Sequence, residues 1–115
     1  MYKVEGTTIT MTRGDTLILS VGMTRDGEPY TPVEGDSVRF ALKSQLNGKG
    51  TAFKEENPLI NKNIPIGTML LQLEPEDTKS LPFGSYTYDI EITFASGIVD
   101  TFICNSPFIL APEVH

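Results

Sequence analysis

Residues 74–94 read EPEDTKSLPFGSYTYDIEITF, and the second half alternates without a fault. Tyr86, Tyr88, Ile90, Ile92 and Phe94 fall on one face of an extended chain, and Thr87, Asp89, Glu91 and Thr93 on the other. A period of two held over nine residues marks a strand with one buried and one wetted face. Ahead of it, Asp77, Leu81 and Gly84 lead into Tyr86, a spacing that puts a tight corner just before the strand. Pro75 with the acids Glu76 and Asp77 suits the first turn of a helix, so 75–81 is read as a single helical turn.

The same period recurs outward from this stretch. Residues 7–12 carry Ile9 and Met11 on one face, and 16–23 carry Leu17, Leu19, Val21 and Met23. Arg13-Gly14-Asp15 turns between them, so the two make a hairpin or, if the first strand crosses over, the start of two sheets. Residues 36–43 put Val38, Phe40 and Leu42 inward and Ser37, Arg39 and Lys43 outward. Met69, Leu71 and Leu73 face inward from 68–74, and Phe102 and Phe108 from the last strands. Residues 44–67 are the least regular part. Asn57-Pro58 and Ile64-Pro65 keep the chain out of a ladder interior there, yet a structureless stretch of that length is unusual, so a short strand is expected, with 51–54 as its place. Seven or eight short strands, one helical turn and no helix-period segment give an all-β chain. The corner before Tyr86 makes it an immunoglobulin-like antiparallel β-sandwich, a single domain over 1–115.

Composition narrows the function classes. The chain has 115 residues, 39% of them hydrophobic and 21% charged, which is ordinary for one folded domain. A net charge of −6 with scattered basic residues argues against nucleic-acid binding, which needs clustered Lys and Arg. Cys104 is the only cysteine, so no internal disulfide forms, and the only histidine is the last residue, His115. No apolar run has the length of a membrane span, and the start, MYKVEGTTIT, has no signal-peptide core. The expectation is a chain made and folded in a cytoplasm.

Candidate chemistry resolves mostly into structure. Arg13-Gly14-Asp15 is the tripeptide that integrins read on an exposed loop, but Gly and Asp are also what a tight turn needs. Asp26, Glu28, Glu34 and Asp36 cluster around one loop without the spacing of a known calcium loop, so turn chemistry and solubility explain them. Glu74, Glu76 and Asp77 lack a nucleophile or oxyanion donor, and Cys104 is read as a buried, inert thiol in an apolar strand. Asp89 and Glu91 sit two apart on the wet face, offset by Arg39 or Lys43 or by a basic partner. The reading is therefore not an enzyme, with no catalytic residue, no metal and no cofactor. In 44–67, Leu46, Phe53, Leu59 and Ile60 are more apolar surface than a free loop carries, and they are the candidate interface residues.

The segments ITMTRGDT, SVRFALKS and LEPEDTKSLPFGSYTYDIEITFASGIVDTF follow one another in an order that resembles a known family. These are the small immunoglobulin-like proteins encoded in tail gene clusters of phages and prophages of Gram-positive bacteria. The chain is similar to the N-terminal domain of their upper baseplate proteins. The resemblance implies that the turn Arg13-Gly14-Asp15 joins the first two strands. It implies that Asp77, Thr78, Leu81, Gly84, Tyr86 and Asp89 belong to the corner and the long strand. It further implies a tail or baseplate structural role, with other tail proteins or a second copy as partners, in the host cytoplasm during assembly and then in the virion. The alternative is a stand-alone binding module for carbohydrate or a cell-surface partner. That reading needs exposed aromatics, for which Tyr2, Tyr30, Phe53 and Phe83 are the loop candidates.

Overall fold

A computed structural model of the chain describes residues 2–44 and 59–112. The alternating stretch forms β9 (Gly84–Thr93), and all five residues of its apolar face are buried. It pairs antiparallel with β6 (Ser37–Ser44) on one side and with β10 (Val99–Ala111) on the other. β7 (Ile60–Ile64) adds to β6, β2 (Thr8–Thr12) adds to β10, and β1 (Tyr2–Glu5) pairs with β2, making one six-stranded sheet. β3 (Leu17–Ser20) leaves this sheet after the Arg13-Gly14-Asp15 turn and pairs with β8 (Leu70–Leu73) as a separate ribbon. Of the two expectations for that turn, the crossing is the one observed. β4 (Met23–Arg25) and β5 (Glu28–Tyr30) form a hairpin around Asp26-Gly27, both with positive φ (54° and 81°), as tight hairpins favour. The helical turn is α1 (Pro75–Lys79).

The six-stranded sheet and the β3–β8 ribbon feed one core. Ile9 and Met11 of β2, Phe40 and Leu42 of β6, Ile90 of β9 and Phe108 of β10 share a single buried cluster with Leu17 of β3 and Leu71 and Leu73 of β8. Each such side chain contributes roughly 2 kcal/mol of transfer free energy. The buried Tyr88 phenol donates to the Thr7 carbonyl, and burial pushes its pKa up to about 12.

Several expectations change. The described residues hold ten strands rather than seven or eight. The strand pairing is not purely antiparallel, because β10 runs parallel to β2, with Phe108 opposite Ile9. A short strand does lie within 44–67, as expected, at 60–64, while 51–54 lies outside the described residues. Asp89 and Lys43 are buried, not wetted. The cause is β10, whose register slips between Thr101 and Ile103 and again between Ile103 and Ser106. The displaced backbone, with Asn105 at φ 51°, closes over the outer face, and its N–H donates to Asp89 Oδ1 at 2.6 Å. Lys43 is two residues along β6 from Ala41, the residue opposite Asp89, and so shares that face. Cys104, read as a buried thiol in an apolar strand, lies within the second slip, and its side chain is exposed.

Candidate interaction site

The corner forms because α1 has well-placed ends. Glu74 donates its backbone N–H to Asp77 Oδ2 at 2.7 Å, which fastens the first turn. Pro75 occupies the position where no N–H is required. Asp77 also meets Lys62 Nζ at 2.9 Å, tying α1 to β7. After the helix, Gly84 adopts φ 145°, a conformation that L side chains rarely adopt, and β9 begins. Tyr86 is buried and its hydroxyl donates to the Pro82 carbonyl at 2.5 Å. That acceptor lies one residue beyond the helical turn read over 75–81, where the chain is still reversing.

The two sequence-predicted clusters, the corner and the Arg13-Gly14-Asp15 turn, meet here. Thr78 is fully buried, and its Oγ1 accepts the Gly14 N–H at 3.0 Å. Gly14 sits at φ 83°, where a side chain would be strained. Arg13 donates Nη1 to the Leu81 carbonyl at 3.3 Å, and its guanidinium lies 4.0 Å from the centroid of the Phe83 ring. Arginine and glycine of the tripeptide are thus engaged within the fold, and the triplet is a structural clasp. Leu81 packs partly buried against the core.

The candidate interface residues are less coherent. Ile60 is in the core, because it pairs with Leu42 on the inward face of β7. Leu59 is exposed while its N–H donates to the Leu42 carbonyl at 2.8 Å. Phe53 and Leu46 lie outside the described residues. On the outer face, Arg39 stands opposite Glu91 and forks onto Asn61 Oδ1 at 2.9 and 2.6 Å. Desolvation raises the Glu91 pKa, and Arg39 opposes that rise. Desolvation, helped by Asp89, also raises the Cys104 pKa, which disfavours a reactive thiolate.

Sequence reasoning passed over the opposite end of β9. There the Asp36 carboxylate accepts the Tyr30 hydroxyl at 2.6 Å and the N–H groups of Val33 and Ala95, each at 3.0 Å. These contacts hold the Asp36 pKa below the usual carboxylate range, the Tyr30 hydrogen bond first among them, and they raise that of Tyr30. The signal was present in Val33-Glu34-Gly35-Asp36, a turn-forming spacing, but the neighbouring acids hid it among solubilising charges. Among the described residues, no group of three or more His, Cys, Asp or Glu is placed to hold a metal ion, and no helix is long and apolar enough to cross a membrane. Compared with known proteins, the chain matches no family model, and no curated protein and no solved structure matches it significantly.

Proposed function

We propose that this chain is a structural protein of a phage or prophage virion, a tail or baseplate component that works through protein–protein interfaces, and that its two layers form an immunoglobulin-like sandwich. The observation that carries the reading is the interlock of the two stretches on which the family resemblance rests. The turn after β2 is fastened to the corner before β9 through Gly14 and Thr78, and through Arg13 and Phe83. The segments that resemble the tail proteins thus serve one another in the fold, as parts of a shared framework. The β-rich architecture is in keeping with a scaffold subunit.

For the alternative, a binding module for carbohydrate or a cell-surface partner, Tyr30 packs edge-on against Phe94, and Phe83 is half-exposed with Arg13 stacked on one face of its ring. The test of the proposal is co-expression with the neighbouring genes, followed by sedimentation. The chain should sediment in a complex with a tail protein or with itself. A chain that stays monomeric beside each of those products would refute the reading.

A further inference from the structure

Three loops converge where β9 ends: the Asp26-Gly27 turn between β4 and β5, residues 31–36, and the turn from β9 to β10. They are fastened to one another. Val33 and Ala95 donate to the two oxygens of one carboxylate, that of Asp36. Gly35 approaches Ala95 so closely that a Cβ on it would lie 2.9 Å from the Ala95 Cβ. The Phe94 N–H donates to the Ile98 carbonyl at 2.8 Å, which closes the last turn. The β4–β5 hairpin is held by Arg25, whose guanidinium lies 4.1 Å from the Phe94 ring centroid, and by Tyr30 on the same ring.

What these fastened loops display is apolar. Ile98, Val33 and Val99 are 61%, 58% and 56% exposed, the three most exposed large hydrophobic side chains among the described residues. Elsewhere, Ile18 and Leu70 share the outer face of the β3–β8 ribbon, and Phe83 is half-exposed against Arg13. Here Val33 and Ile98 stand on the fastened turns and Val99 opens β10, so the entropy of fixing the surface is already lost before a partner arrives. Asp26, Glu28, Glu34 and Asp100, all exposed, stand on the same loops or beside them. Arg25, the one basic residue of the hairpin, is stacked on the aromatic pair.

We propose that this end of the molecule is a preformed docking surface for a protein partner that presents an apolar pocket rimmed by Lys and Arg. Charge decides the occupant. A second copy meeting this end with its own would oppose carboxylates to carboxylates, which is unfavourable, and a nucleic acid or an anionic lipid surface carries the same wrong sign. The surface is defined without reference to tail assembly, so it stands or falls apart from the virion reading.

The test is a titration of the isotope-labelled full chain, followed by amide NMR, with two synthetic peptides of equal charge. One alternates Lys with Leu and the other alternates Lys with Ser. The Lys–Leu peptide should shift the amides of Val33, Ala95, Ile98 and Val99 and bind more tightly than the Lys–Ser peptide. Burial of one such side chain corresponds to about a tenfold change in affinity, so Ile98→Ser should weaken binding by about that factor. The amide spectrum of the variant reports separately that it is folded. Asp36→Asn, which loosens the fastening and leaves the apolar side chains in place, should also weaken binding. Equal binding of both peptides, shifts on another face or no binding would overturn the proposal. So would concentration-dependent shifts of these amides without peptide, which would assign the surface to a second copy.

Discussion

Where β9 begins, a glycine turn is held by the hydroxyl of Thr78; where it ends, two loops are held by the carboxylate of Asp36. β10 runs between the same two ends, with Val99 beside one and Ala111 accepting the Arg13 N–H at the other. The parts are alike: a positive-φ glycine, an arginine over an aromatic ring, and one side-chain acceptor for backbone N–H groups from another element. The difference lies in the acceptor and in what the clasp leaves outside. Thr78 is neutral and fully buried, and Arg13 stacks on the half-exposed Phe83. Asp36 is ionised at the surface, and its loops leave Val33, Ile98 and Val99 in water. A closed clasp serves the fold, and an open one serves a partner.

The largest effect should come from the closed end. Thr78→Val keeps the shape and removes the acceptor of the Gly14 N–H, at a cost of about 2 kcal/mol for an orphaned polar group. Chemical denaturation measures it, and an unchanged midpoint would break the contrast, since the clasp would then be dispensable. Tyr86→Phe should cost about 1 kcal/mol through loss of the hydrogen bond to Pro82. Arg13→Ala should also cost about 1 kcal/mol, because it removes the stacking on Phe83. From sequence alone, only the glycine and the aspartate of that turn had a role.

The smallest effect on global stability, and the sharpest in selectivity, concerns pH at the open end. The folded-state pKa of Asp36 is depressed, so its stabilisation is in full force above the ordinary carboxylate range and is lost as pH falls through the lower folded value. The Val33 and Ala95 amide resonances should therefore move with a midpoint below that range, while the Gly14 amide, bonded to a neutral hydroxyl, stays still. A common midpoint at both ends would erase the distinction.

Much of the closed end was legible, and much of the open end was not. The alternation from Tyr86 to Phe94 and the inward set of β6 needed only the period of a strand, and Gly14 and Gly84 needed only the demand of a sharp turn. The burial of Asp89 and Lys43 was hidden because it depends on two slips in β10, and a bulge leaves no reliable mark in a single sequence. The parallel pairing of β2 with β10 joins residues about a hundred positions apart, beyond any local pattern. Asp36 was invisible as a fastener because its partners, Tyr30 and Ala95, come from separate loops.

The proposed virion role makes the chain a stoichiometric part of a tail particle. Quantitative mass spectrometry of particles purified after induction of the host strain decides it. The chain should be found at a fixed, whole-number ratio to the major tail protein, retained through washing at high salt. Its absence from washed particles, or a ratio that varies from one preparation to the next, would rule that role out.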